Sequence, residues 1–456
     1  MHILPRVTVV AGALLWLLPS LSAAQSITSF SFDPLVIPSA RTEPVLLEAT
    51  ISPRPTRVTL EFNPGSAGAA RELELRDDGT GGDRRAGDNV YSVALSAPDI
   101  IGVLRADDVQ RVFIGFLNVF NGAERTLRAN MFVDVHTDDV GTTPITRISS
   151  DVQATSRLVN INDPAFFVDF SVARITRRFY AVYGDDYDFL NIVSTPSRLL
   201  NRDHSVVKND IDGIGMGRTG LSASFGSAGR LRGISRFPSV IFFDGASTGY
   251  NHELGHQWIS ALNFQPFDSG VPHWPLSSMA GGVMGWSTRG GQGLSFVCDV
   301  VLDGGTVRLM PRSGEPVFND FDLYLMGIIG PGQVSEQVVF ADQAAAQRLT
   351  CTGQMFTGAI SRVTVRTIID RLGERRPDAI ASQKHFRIVT ILVSRDGLVS
   401  EEAMWLYHWL AGRAELRETV PVHEGFLKST GRPFFVATRG WATLGTSLGP
   451  TEESAP

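Results

Sequence analysis

Metal chemistry is indicated first by the pentad HELGH, which runs from His252 to His256. On an α-helix, side chains four residues apart lie on the same face, so the two histidines would point side by side. Two imidazole nitrogens placed in this way can bind one Zn²⁺ at ~2.0–2.1 Å. Glu253 follows the first histidine directly, where it can take a proton from an activated water without binding the metal. The spacing therefore predicts metal-assisted hydrolysis, with two histidine ligands and Glu253 as general base.

The same pentad resembles the active-site helix of the zincin metallopeptidases. The resemblance covers only this helix and the strand before it, so it indicates a broad clan and no particular family. It implies His252 and His256 as zinc ligands, Glu253 as general base, a zincin-like fold around them, and peptide bonds as the substrate.

A catalytic zinc also needs a third protein ligand, and two common positions for it are excluded. The metzincin pattern HExxHxxGxxH requires Gly at 259 and His at 262, whereas this chain has Ile259 and Leu262. Other zincins take a Glu farther along, but the sequence has no Glu between Glu253 and Glu315. The third ligand must therefore come from a segment that the pentad itself does not identify.

Two residues are the main candidates for the third ligand. His273 is favoured because it lies in a Gly- and Pro-rich loop that can turn back under the metal, and Met284 could then form a turn beneath the site, as a methionine does in metzincins. Asp322 is the rival, because some zincins take an acidic ligand from a later helix; in the first turn of a helix it is equally explained by the helix dipole. Asp320 and Glu315 are lesser alternatives.

Two further residues have expected roles around the site. Tyr324 is a candidate for hydrogen bonding to the oxyanion of the transition state, although a tyrosine on such a helix is also an ordinary core residue. Gly255 costs the helix up to about 1 kcal/mol relative to Ala. A glycine at this position is explained if another group must pack close to the second histidine.

These residues belong to a chain whose first part is rich in strands. Apolar and polar residues alternate in short runs between residues 27 and 135, separated by Pro, Gly, Asp and Asn turns. The pattern predicts a β-sandwich (Ig-like) domain over residues 25–138, followed by a linker at 139–150. One turn-like segment carries Asp77, Asp78, Asp83 and Asp88. Oxygen ligands of this kind suit a structural Ca²⁺, although a long Asp-Gly turn accounts for them equally well.

Helices and strands mix in the remainder, residues 151–456, which predicts an α+β, zincin-like catalytic domain. The segment 166–195 indicates a helix that runs into a strand, and 237–245 a second apolar strand. Ser247 or Thr248 would then cap a helix carrying the pentad over residues 249–264. Asn319 would cap a later short helix.

The chain begins with features of an exported protein. Residues 1–24 have one basic residue, an apolar run and small residues before a cleavage point, which is typical of a signal peptide, with an uncleaved anchor as the alternative. In a secreted or periplasmic setting Cys298 and Cys351 would form a disulfide; two separate buried thiols are the alternative. No segment has the ~18 consecutive apolar residues of a membrane span.

The combined features predict a secreted zinc metalloendopeptidase that acts on a protein or peptide substrate. A formal net charge of −6 provides no basic surface for nucleic acid. Two alternatives stay open on the sequence alone. One is a metal-dependent amidase of the cell envelope, and the other is an exported adhesin or binding protein with a structural or vestigial metal site.

Overall fold

A computed structural model describes most of the chain. The described residues are 25–62, 70–103, 111–136, 140–196, 202–238, 250–285, 298–303, 305–311, 313, 316–418 and 433–449. They form a mixed arrangement of strands and helices, in agreement with the predicted α+β class. The predicted signal peptide and most of the predicted strand at 237–245 lie outside the described residues.

The N-terminal strands follow the predicted alternation of apolar and polar residues. They are β1 Ser26–Asp33, β2 Val36–Pro38, β3 Val45–Ser52, β4 Arg57–Phe62, β5 Arg71–Leu75, β6 Val90–Leu95, β7 Arg111–Asn121 and β8 Glu124–His136. Strands β1, β3 and β6 form one antiparallel sheet, and a second sheet has the order β2-β8-β7-β4-β5. Buried side chains from both sheets share one hydrophobic cluster, to which β3 contributes the alternate residues Val45, Leu47, Ala49 and Ile51.

The other described strands range from two to ten residues in length. They are β9 Thr146–Arg147, β10 Val152–Ala154, β11 Leu158–Asn162, β12 Phe189–Thr195, β13 Asp203–Val206, β14 Lys208–Asn209, β15 Thr219–Gly220, β16 Gly233–Pro238, β17 Cys298–Asp303, β18 Thr306–Pro311, β19 Gln337–Phe340, β20 Gln354–Phe356, β21 Ile360–Val363, β22 His385–Ser394 and β23 Thr443–Gly445. Eight of them form the largest sheet, in the order β13-β16-β12-β22-β11-β10-β9, with β23 also paired to β22.

Helices lie between these strands. They are α1 Ala97–Ile101, α2 Phe166–Asp169, α3 Val172–Tyr180, α4 Tyr250–Gly255, α5 Asp320–Met326, α6 Gln343–Ala346, α7 Val365–Leu372, α8 Glu401–Gly412 and α9 Phe434–Ala437. Short 3-10 helices occupy Ser222–Phe225, Pro331–Gln333 and Arg413–Glu415. No helix of the described residues is long and apolar enough to cross a membrane.

The large sheet is covered on both faces, which explains the continuous apolar runs of its central parallel strands β12 and β22. Along β22, Ile388 and Leu392 face one hydrophobic cluster, whereas Val389 and Ile391 face the other. Helices α2 and α3 pack into the second cluster, and Leu254 of α4 packs into the first. The sheet therefore places the helix of the pentad on one face, where α4 contacts β16 and β13.

Three sequence predictions can be compared directly with these elements. Asn319 caps α5, since its side chain accepts a hydrogen bond from Asp322 N. Cys298 and Cys351 form a disulfide. The helix predicted over 249–264 was too long: α4 ends at Gly255, and the chain continues through a tighter turn with hydrogen bonds between residues three apart.

Candidate metal centre

Three histidines converge at the end of α4. The ring centroids of His252 and His256 lie 4.9 Å apart, those of His252 and His273 lie 4.9 Å apart, and those of His256 and His273 lie 5.0 Å apart. One nitrogen from each ring lies within 4.8 Å of the other two. His252 Nε2 and His273 Nε2 are separated by 3.0 Å. Tetrahedral zinc with bonds of ~2.0–2.1 Å would hold two such nitrogens about 3.3 Å apart, so the spacing fits one metal ion.

Backbone carbonyls orient two of these rings. His252 Nδ1 lies 2.8 Å from Val283 O, and His256 Nδ1 lies 3.1 Å from Ile259 O. A carbonyl oxygen can only accept a hydrogen bond, so each Nδ1 must carry the proton and act as the donor. Nε2 of each ring then holds a lone pair, which is the form that binds a metal.

All three histidines are neutral near pH 7. Burial lowers the pKa of His252 well below its usual value, that of His256 to about 4 and that of His273 to about 3. The positive charge of Arg202 lowers the pKa of each ring further. Because metal binding requires the unprotonated imidazole, no proton has to be displaced at neutral pH.

The turn at Val283 and Met284 connects the helix to the His273 loop. Val283 O accepts the hydrogen bond from His252, and Met284 O accepts one from Trp274 N, next to His273, at 3.1 Å. The Met284 side chain is fully buried and packs directly on the backbone of Gly255. This contact matches the expected reason for a glycine at that position and places a methionine beneath the site.

Substitution of Gly255 with Ala is expected to lower the free energy of unfolding by about 1–3 kcal/mol, because overpacking a core costs this much. An added Cβ would overlap with Met284 Sδ. The overlap outweighs the gain of up to about 1 kcal/mol from the better helix propensity of Ala. Urea unfolding followed by tryptophan fluorescence measures the change. The double variant Gly255→Ala/Met284→Ala is expected to lose less free energy of unfolding than the two single variants lose together. A Gly255→Ala protein as stable as the wild type would contradict the packing account.

Glu253 is buried beside the histidines and is not one of the three grouped ligands. Its side chain is 5% exposed, and its Oε1 forms an ion pair with Arg202 Nε at 2.8 Å. Burial raises the pKa of the Glu253 carboxyl to about 7, while the adjacent Arg202 acts in the opposite direction. A base with a pKa near the working pH is well matched to accepting and returning a proton.

Asp322 is held by other groups and lies outside the histidine group. Its Oδ1 accepts a hydrogen bond from Trp274 Nε1 at 2.6 Å, and its Oδ2 accepts one from Asn319 N at 2.9 Å. Asp322 is completely buried, which raises the pKa of its carboxyl to about 7. Because Trp274 follows His273, Asp322 anchors the loop that carries the third histidine. The geometry thus favours His273 over Asp322 as the third ligand.

The remaining predicted site residues are not brought to the histidines in the part of the chain that the structure describes. Tyr324 accepts a hydrogen bond through its hydroxyl from Arg375 N at 3.3 Å, so it belongs to the packing around α5. Asp320 pairs with Arg439 and accepts hydrogen bonds from Ser335. Glu315 lies outside the described residues.

A second group of carboxylates comes from the predicted turn of the N-terminal region. Asp77, Asp83 and Asp88 lie within 4.8 Å of one another, measured between one oxygen of each. Their oxygens accept backbone hydrogen bonds within the loop, and Arg54 pairs with Asp77 at 3.0 Å. These contacts account for the cluster without an ion, and Ca²⁺ at this loop stays a prediction. Asp78 is hydrogen-bonded separately, to Thr80.

Arg202 was not identified from the sequence. It belongs to no motif, and its contact with Glu253 arises only because β13 starts beside α4. An isolated arginine between polar residues provides no periodic or compositional signal for such a contact.

Comparisons with known proteins add no family. No protein-family model matches the chain, and no curated protein matches it significantly. Among solved structures, Cwp6 from Clostridium difficile is similar over 38% of this chain and 26% of that chain, with 8% identical residues. The TM-score of that match is 0.17, so it carries no argument about fold or function.

Proposed function

We propose that this chain is an exported zinc-dependent metalloendopeptidase, with an N-terminal β-sandwich followed by a zincin-like catalytic domain. The observation that carries the proposal is the convergence of His252, His256 and His273 beside a buried glutamate. Three imidazole ligands leave the fourth position of a tetrahedral zinc open, which is the arrangement of catalytic sites. A purely structural site would close that position with a fourth protein ligand.

The donor set fits zinc for reasons that lie in this chain. Two of the three rings present Nε2 because carbonyls hold their Nδ1 protons, and burial keeps all three rings neutral. Imidazole is a common ligand for Zn²⁺ and for several other transition metals. When bound, a zinc ion would acidify a water molecule and polarise the scissile carbonyl.

Glu253 would carry the proton transfers of the reaction. Its carboxylate takes one proton from the water as the water oxygen attacks the carbonyl carbon of the peptide bond. The protonated carboxyl then returns that proton to the amide nitrogen as the C–N bond breaks. The products are a carboxylic acid and an amine, and Glu253 is regenerated without a net change in charge.

The sheet edge next to α4 supports an extended peptide as the substrate. In the described residues β13 is the last strand of the large sheet on this side, and it pairs with β16 alone. An edge strand can bind an extended peptide by adding it to the sheet, with main-chain hydrogen bonds as the source of affinity. The end of β13 where Arg202 lies also brings this edge next to Glu253.

Hydrolysis of a fluorescently labelled, denatured protein tests the proposal. The purified zinc-loaded protein is expected to cleave it, a chelator to abolish cleavage, and stoichiometric Zn²⁺ to restore it. Cleavage that resists a chelator would contradict the proposal. A zinc-loaded protein without cleavage of any peptide, but with hydrolysis of other amides, would favour a cell-envelope amidase.

A further inference from the structure

Arg202 is the ion-pair partner that the described residues give to Glu253, with its Nε 2.8 Å from Glu253 Oε1. Both side chains are almost completely buried, with 3% and 5% of their surfaces exposed. The final torsion of a glutamate is broad and roughly two-fold, so the side chain does not fix the direction of its own carboxylate. The direction of the Glu253 oxygens therefore depends on an outside partner, and a planar guanidinium is a rigid one.

Stability alone is a weak reason for this ion pair. Desolvation of two buried charges can cost more than their attraction returns, and well-packed apolar residues often replace such pairs without loss. Arg202 lies against Glu253, which directly follows His252 in the chain, so its positive charge is close to the three-histidine cluster. Like charges repel, so the same guanidinium disfavours a cation bound there. Its position is thus hard to explain as support for metal binding.

We propose that Arg202 is a positioning residue: it aims the Glu253 carboxylate toward the water that the base must deprotonate. This inference rests on the proposed hydrolytic function. It assigns Arg202 an effect on the rate of the chemical step, and no role as a zinc ligand or as a substrate contact.

Steady-state kinetics of Arg202→Met, with zinc content measured on the same samples, test the assignment. We expect kcat to fall about 100-fold, since a small misplacement of a catalytic group has effects of this size. KM and zinc stoichiometry are expected to stay at wild-type values. Arg202→Lys keeps the charge without the planar geometry, so it should restore only part of kcat. Arg178→Met is the matched control, because Arg178 pairs with buried Asp163 in another part of the fold.

A second comparison asks whether Arg202 acts through Glu253. In a Glu253→Gln background, Arg202→Met is expected to lower the residual rate by less than threefold, because residues that act as a unit are not additive. If Arg202→Met lowers the rate by the same factor in both backgrounds, the positioning role is overturned. Loss of zinc from Arg202→Met would overturn it as well. If Arg202→Met does not fold, a folded Arg202→Lys with wild-type kcat overturns it. Zinc-loaded wild type without hydrolysis overturns the proposed function and this inference together, whereas an active Arg202→Met overturns the inference alone.

Discussion

Replacement of Glu253 with Gln is expected to lower kcat/KM for peptide hydrolysis by about 10²–10⁴-fold, the usual contribution of a general base. Gln has the same shape, and its Oε1 can still lie against the Arg202 guanidinium, so the local packing should persist. An amide cannot take up the proton of the attacking water at neutral pH. Zinc content is expected to stay at one ion per chain, because Glu253 is not among the three grouped ligands.

Asp163→Asn is the control for this substitution. Asp163 is also a buried carboxylate with arginine partners, Arg174 and Arg178, but these belong to α3, on the other face of the sheet. Its loss should affect stability and leave kcat/KM within about twofold of the wild type, as for an independent site. Glu253→Gln with more than half of the wild-type activity would contradict the assigned base.

Replacement of His273 with Ala is expected to weaken zinc binding by more than about 100-fold, since loss of groups that only orient a ligand already costs 10–100-fold. Hydrolysis should disappear with the metal.

Asp322→Asn is expected to keep one zinc per chain, because its Oδ1 can still accept the hydrogen bond from Trp274 Nε1. Some affinity is lost, since the Asn amide cannot replace Oδ2 as acceptor for Asn319 N. Competition with a chromophoric chelator measures both affinities.

The opposite pattern would reverse the ligand assignment. Zinc retained by His273→Ala and lost by Asp322→Asn would make Asp322 the third ligand and His273 a bystander. Circular dichroism of each variant distinguishes a lost ligand from a lost fold, because Asp322 also takes part in the cap of α5.

Local sequence signals predicted the parts of the site that depend on neighbours in the chain. The spacing of His252 and His256 follows from helix geometry, and both rings do meet even though α4 ends at Gly255. Asn319 was recognised as a cap because Asn is a preferred residue directly before the first turn of a helix. The glycine in the pentad indicated a close neighbour, and Met284 is that neighbour.

Contacts between distant segments could not be predicted in the same way. The hydrogen bond from Trp274 to Asp322 ties a loop to a helix. In the sequence, Trp274 by itself looks like an ordinary core residue, and Asp322 like an ordinary acidic residue in the first turn of a helix. Arg202 reaches Glu253 because an edge strand begins beside α4, which no periodicity encodes. The choice between His273 and Asp322 therefore required the tertiary arrangement.

X-ray absorption at the zinc K-edge of the purified wild-type protein tests the three-histidine centre most directly. The account predicts one zinc per chain with three imidazole nitrogens and one water oxygen at ~2.0–2.1 Å. The imidazole signal should fall in His273→Ala and remain in Asp322→Asn. A protein that takes up no zinc, or one whose zinc has fewer than three imidazole ligands, would contradict the account.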